Sequence, residues 1–193
     1  MGVYLVSVDA QEWSGTGEGG HGEVASALNS ELERRGLPLY EPEAAAGQEP
    51  PGWFEEKMSP PMDGFDTLCR ATLTAEEREN LLGWAVLVPC ALDEGVTLPF
   101  GSPYTDETLV LGAPYVLALA ERLAAALALP LDLVPATFGN LELTLWFLEG
   151  DAERAAPTRP GPWADDLATA FYAAVYLRAA QYSLRHGRPI TWC

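Results

Sequence analysis

The residue types that could carry chemistry in this chain gather in one short stretch, residues 9–23. Asp9 directly follows a run of apolar residues that is predicted to be a strand, so its carboxylate is expected at one end of a sheet. His21 is one of only two histidines in the sequence. Carboxylates and imidazoles are the side chains that serve most often in general acid–base catalysis. Asp9 and His21 are therefore the candidate catalytic residues.

A glycine-rich loop, residues 15–22, lies between the predicted strand and a predicted helix. Gly15, Gly17 and Gly20 match the pattern G-x-G-x-x-G, in which backbone amides can approach a phosphate. They are the candidate cofactor-binding residues. In dinucleotide-binding proteins, however, the first glycine ends the strand directly, whereas six residues intervene here, and Glu18 would place a negative charge at the phosphate. A connecting loop explains the glycines without a ligand, and we expect no cofactor.

Other sequence signatures of enzymes and metal proteins are absent from the sequence. The acids near His21 do not follow the spacing of a calcium loop. The three cysteines contain no C-x-x-C pair, which indicates reduced thiols and no structural zinc. The motifs of serine hydrolases, zinc proteases and phosphate loops are missing as well. We therefore predict no metal site, and a non-enzymatic role is favoured over catalysis.

The net charge of −17 is the most pronounced property of the sequence, and it is unevenly distributed. Residues 1–107 contain 20 acidic and 5 basic residues, and the remaining residues contain 8 acidic and 6 basic ones. A negative field repels nucleic acid and attracts basic proteins. We therefore predict a basic protein partner and no binding to nucleic acid.

Two tryptophans of the acidic part indicate where such a partner would bind. Exposed aromatic side chains surrounded by acids are common in protein interfaces. The predicted partner-binding residues are Trp13, Glu18, Trp53, Glu55 and Glu56. An immunity-type inhibitor of a toxic enzyme, or a regulatory adaptor, would use a surface of this kind. The alternative is a small-molecule or nucleotide-binding enzyme that uses Asp9, His21 and the glycine-rich loop.

The sequence predicts a cytoplasmic protein without a membrane span. Charged residues interrupt the longest apolar stretches before they reach the roughly 18 residues that a spanning helix needs. The apolar run at the N-terminus has no basic leader and no cleavage site, so it is interpreted as a strand and not as a signal peptide.

Hydrophobic periodicity predicts an α+β fold, with an α/β order as the alternative. The predicted strands are Val3–Val8, Trp84–Leu92, Val96–Phe100 as a hairpin partner of Trp84–Leu92, and Ile190–Cys193. The predicted helices are Glu23–Arg35, Asp63–Ala71, Ala75–Leu82, Pro114–Leu127 and Trp163–His186. Residues 140–149 fit both patterns, and the alternation of Leu141, Leu143, Leu145 and Phe147 favours a strand. Residues 1–193 are expected to form one domain with an irregular segment at 37–61.

Overall fold

The fold is α+β, as predicted, and contains one mixed sheet with helices packed on it. The computed structural model describes residues 2–17, 20–42, 53–101, 106–136 and 139–193. The strands of these residues are β1 (Tyr4–Ser7), β2 (Glu55–Lys57), β3 (Val86–Val88), β4 (Val96–Leu98), β5 (Thr108–Gly112) and β6 (Ile190–Trp192). They are arranged in the order β2-β1-β6-β3-β5-β4, in which only β3 and β5 run parallel.

The helices follow the amphipathic segments of the sequence closely. They are α1 (Ala10–Ser14), α2 (Gly22–Arg34), α3 (Asp63–Thr72), α4 (Ala75–Gly83), α5 (Ala113–Ala126), α6 (Glu142–Leu148), α7 (Asp151–Ala155), α8 (Pro162–Asp165) and α9 (Leu167–His186). None of those in the described residues has an apolar stretch long enough to cross a bilayer.

Each face of the sheet carries its own hydrophobic core, because successive strand side chains point to opposite faces. On one face, Leu5, Leu87 and Ile190 pack with the side chains of α3, α5, α6 and α9. On the other face, strand residues such as Val86 and Val110 pack with residues of α1 and α2. Helices α1 and α2 therefore contribute to a different core from that of α3 and the apolar C-terminal helices.

The predicted hairpin between the segments at 84–92 and 96–100 is wrong. Strand β4 pairs with β5, and β3 lies between β5 and β6. Strand β5 was missed, because the apolar run at Thr108–Gly112 continues directly into α5 and gives no period of its own. The first and last strands were predicted correctly, at β1 and β6.

The preference for a strand at 140–149 is also wrong, because this segment contains helix α6. Leu143 and Phe147, four residues apart, point into the core, whereas Leu145 and Leu148 are 44% and 46% exposed. The helical period therefore describes the buried face, and the alternation of leucines is incidental. The predicted irregular segment differs as well: it contains strand β2, and residues 43–52 lie outside the described ranges.

The predicted long helix Trp163–His186 is divided at Asp166. This residue has an extended backbone, with φ −143° and ψ 90°, and it separates α8 from α9. Its side chain accepts hydrogen bonds from the Thr169 N–H at 3.0 Å and from the Thr169 hydroxyl at 2.6 Å. Asp166 is therefore the N-cap of α9 and satisfies a backbone donor that the helix leaves unpaired.

Glu56, which has no solvent-exposed surface, fastens strand β2 to helix α6. Its carboxylate accepts hydrogen bonds from the N–H of Leu143 at 2.9 Å, from the N–H of Thr144 at 2.8 Å and from the Thr144 hydroxyl at 2.7 Å. Burial raises the pKa of Glu56, and the hydrogen bonds from Thr144 and Leu143 oppose that change. A side chain from a distant strand thus supplies the acceptors that the first turn of α6 needs.

Replacing Glu56 is expected to destabilise the protein strongly. Glu56→Ala removes the acceptor of two buried N–H groups, which costs about 2 to 4 kcal/mol of the free energy of unfolding. The measurement is urea unfolding followed by circular dichroism, with Glu55→Ala on the same strand as the control.

The loss of unfolding free energy in Glu56→Ala should also depend on pH, because the pKa of Glu56 is higher in the folded than in the unfolded protein. The stabilisation by Glu56 is complete below the unfolded pKa of about 4.3 and decreases as the pH rises through the folded pKa. Glu56→Ala should therefore cost more at low pH than at neutral pH. Equal costs for Glu56→Ala and Glu55→Ala would contradict the buried role of Glu56.

Candidate functional site

Asp9 and Glu12 start helix α1 together. The Asp9 carboxylate accepts a hydrogen bond from the Glu12 N–H at 2.8 Å, and the Glu12 carboxylate accepts one from the Asp9 N–H at 3.3 Å. This reciprocal arrangement is a capping box, which satisfies two backbone donors at the helix start. Asp9, the candidate catalytic acid, is thus placed as the N-cap of α1, which was not among the predicted helices.

Among the described residues of the glycine-rich loop, several amides are already occupied by backbone carbonyls. The N–H of Gly20 donates to the Gly17 carbonyl, that of His21 to the Glu12 carbonyl and that of Gly22 to the Gly15 carbonyl. A phosphate-binding loop needs such amides free to point at the ligand. The predicted cofactor-binding residues Gly15, Gly17 and Gly20 therefore form a folded-back connection to α2, and Glu18 lies outside the described residues.

The backbone at Gly20 passes close to the backbone at Gly15, which explains why residue 20 is a glycine. A Cβ atom on Gly20 would lie 2.2 Å from the Gly15 carbonyl oxygen, whereas a Cβ atom on Gly17 would meet nothing within 4 Å.

We expect Gly20→Ala to lower the free energy of unfolding by about 1 to 3 kcal/mol, because the backbone must shift. Gly17→Ala is the matched control and should change it by less than about 0.5 kcal/mol. Thermal unfolding of the two variants compares them directly, and equal stabilities would contradict this role for Gly20.

His21 lies against the ring of Trp13, with centroids 6.2 Å apart and an angle of 17° between the ring planes. Burial lowers the pKa of His21, and the nearby Glu12 carboxylate raises it to a smaller extent. The buried Nδ1 atom of His21 has no hydrogen-bond partner among the described residues. Trp13 itself is only 2% exposed and contacts Tyr40 edge to face.

His21 and residues of β1 line a cavity of about 860 Å³, which we call the β1 cavity. Val6 of β1 and Val8, which follows this strand, form part of its apolar lining. Its aromatic lining residues are Trp53, Trp84, Tyr176, Trp192 and His21. The carboxylates in the lining belong to Glu12 and Glu55, and no lysine or arginine is among its described lining residues. The cavity is thus apolar and aromatic, with two acids.

Besides the His21 Nδ1, a second buried group in this lining lacks a partner. The indole Nε1 of Trp84 is inaccessible to solvent and makes no hydrogen bond within the described part of the chain. A buried donor without an acceptor costs about 1 to 3 kcal/mol.

Folding neutralises few of the described acids of residues 1–107. The four arginines of residues 1–107 concentrate on two carboxylates, in the ion pairs Arg34–Glu31, Arg35–Glu31, Arg70–Asp66 and Arg78–Asp66. One arginine from the later part, Arg122, pairs with an acid of this part, Glu77. Exposed acids such as Glu23, Glu33 and Glu79 have no ion pair among the described residues. The carboxylate surplus predicted from the sequence is thus only slightly offset by arginines from elsewhere.

The structure separates the predicted partner-binding residues into two groups. Trp53 and Glu55 are half-buried and line the β1 cavity. Trp13 and Glu56 are buried in the core, so their side chains cannot contact a partner in this structure. Their environments explain this: Trp13 packs against His21 and Tyr40, and Glu56 is enclosed by the first turn of α6.

Sequence reasoning missed that Trp84 and Trp192 line the β1 cavity together. Trp84 and Trp192 are 108 residues apart, yet their rings lie 5.4 Å apart, and the Trp192 indole donates to the Trp84 carbonyl at 2.9 Å. Only the pairing of β6 with β3 brings them together. No local pattern in the sequence could have identified this contact.

Comparisons with protein-family models, with curated proteins and with solved structures found no match to this chain. Among the described residues, no group of three or more histidine, cysteine, aspartate or glutamate side chains is arranged to hold a metal ion. The function is therefore inferred from the β1 cavity and the charge around it.

The titration of His21 tests the electrostatics of this cavity. Its pKa should lie below the ordinary histidine value of about 6.5, because burial disfavours the imidazolium. Glu12→Gln should lower it further, because the carboxylate is the group that favours the charged ring. Two-dimensional NMR of the imidazole C–H groups measures both values, with Glu23→Gln as the control. A higher pKa in Glu12→Gln would contradict the contact between Glu12 and His21.

Proposed function

We propose that this chain is a non-enzymatic protein-interaction module that docks a basic protein partner at the β1 cavity. The observation that carries the proposal is the composition of this cavity: aromatic walls, two carboxylates, and no lysine or arginine among its described lining residues. Most of its described lining residues belong to residues 1–107, which contain 20 acidic and 5 basic residues.

A long basic side chain of the partner fits this lining best. Arginine and lysine combine an apolar stem with a cationic head, so the stem can contact Val6 while the head approaches a carboxylate. A cation over the face of an indole gains about 0.5 to 2 kcal/mol, and Trp53 supplies such a face beside Glu55.

The surplus of carboxylates would attract a basic partner at long range, before the two proteins are in contact. A negative field accelerates the encounter with a positively charged protein and weakens as salt is added. An immunity-type inhibitor of a toxic enzyme and a regulatory adaptor both fit this description, and the identity of the captured partner distinguishes them. The nucleotide-binding alternative finds less support, because the amides of Gly15, Gly20, His21 and Gly22 are already paired.

Capture of partners by charge-reversed variants tests the proposal. Immobilised wild-type protein should retain a basic protein from lysate of its native cell, identified by mass spectrometry. Glu55→Lys and Trp53→Ala should each reduce the affinity for that protein by at least tenfold, because they remove a carboxylate and an aromatic face from the cavity. The wild-type interaction should also weaken with added salt, and that dependence should be smaller for Glu55→Lys.

Glu121→Lys is the matched control, since it makes the same charge change at an exposed position of α5. It should retain the partner within about threefold. Loss of binding in Glu121→Lys equal to that in Glu55→Lys would show that net charge, and not the β1 cavity, determines capture. Capture that is insensitive to all three variants would contradict the proposal.

A further inference from the structure

A second cavity lies beside the C-terminal half of helix α9 and has the opposite chemistry. It has a volume of about 600 Å³, and we call it the α9 cavity. Its polar lining residues are Arg178, Gln181, Arg185 and His186, and Leu117 of α5 contributes to its apolar lining. No aspartate or glutamate is among the described residues that line it. In a chain with 28 acidic and 11 basic residues, such a cavity is unexpected.

The guanidinium of Arg178 is held in place by neutral groups. It donates to the carbonyls of Pro135 at 2.9 Å, Val134 at 2.8 Å and Leu131 at 3.2 Å, and to the Gln181 side-chain oxygen at 2.8 Å. A guanidinium has five N–H groups, so one N–H on Nη1 is left without an acceptor among the described residues. Arg178 takes part in none of the ion pairs found among the described residues, and its positive charge is therefore not neutralised by a carboxylate there.

The hydrogen bond from Arg178 also orients Gln181. Because the Gln181 oxygen accepts from Arg178, its amide NH₂ group is left to donate. His186 stacks near the ring of Tyr182, with centroids 4.5 Å apart. Burial lowers the pKa of His186, and the nearby Arg185 and Arg188 lower it further, which indicates a positive potential at this end of the helix. The polar groups named here are all donors, or become donors on protonation.

We propose that the α9 cavity is a binding site for a small organic anion, such as a phosphate monoester or a carboxylate. The anionic group would accept hydrogen bonds from Arg178, Gln181 and the imidazolium of His186, and charge-assisted hydrogen bonds of this kind are roughly twice as strong as neutral ones. The apolar part of the ligand would contact Leu117 and the Tyr182 ring. This site is separate from the β1 cavity and does not depend on the proposed partner.

NMR titration of the two histidines tests the site with a built-in reference. Each cavity contains one of them: His186 lines the α9 cavity and His21 lines the β1 cavity. Phenyl phosphate, added at constant ionic strength, should raise the pKa of His186, because a bound anion favours the imidazolium. The pKa of His21 should stay unchanged. Inorganic phosphate and benzoate, tested in the same way, show whether the site prefers a phosphate or a carboxylate and whether the aromatic ring contributes.

Gln181→Glu is the decisive variant, because it introduces a carboxylate beside Arg178. It should weaken binding of phenyl phosphate at least tenfold, whereas Gln11→Glu, the same change at an exposed position of α1, should leave it within about twofold. Arg185→Gln, at an exposed position, should also weaken binding and serves if Gln181→Glu does not fold. An unchanged His186 pKa with all three probes, equal shifts of both histidines, or full binding by both cavity variants would overturn the proposal.

Discussion

Helix α9 is buried along most of its length, and both cavities depend on where this burial places it. Thirteen of its twenty residues are buried, so the helix must be covered by the sheet on one side and by helices on the others. Phe65 of α3 stacks on Tyr176 at 5.3 Å, and Trp84 meets the same ring edge to face. Tyr176 then lines the β1 cavity, while the last turns of the helix line the α9 cavity.

Carboxylates have two distinct roles in this protein. Asp9, Glu56 and Asp166 each accept hydrogen bonds from the N–H groups that a helix start leaves unpaired. These acids connect secondary-structure elements and contribute to the fold. The exposed acids of the N-terminal part contribute little to the fold and supply the negative field instead. Separating the two roles shows which acids are available for a partner.

The chain also separates its charges in space. The arginines of the N-terminal part are used in ion pairs on Glu31 and Asp66, so they do not neutralise the acids near the β1 cavity. In the C-terminal part, Arg178 is bound by carbonyl groups and keeps its charge within the α9 cavity. The two cavities therefore favour ligands of opposite charge, and the proposals for them are independent.

The sequence by itself determined the fold class, most of the helices, the first and last strands and the location of the charge, since each of these follows from local periodicity and composition. Asp9 and His21 were recognised as unusual residues, but their contacts were not. Only the tertiary structure decided that β5 separates β4 from β3, that residues 142–148 are helical and that Trp84 meets Trp192. These features depend on contacts between residues far apart in the chain, such as the bonds from Leu143 and Thr144 to Glu56, and local sequence patterns do not encode such contacts.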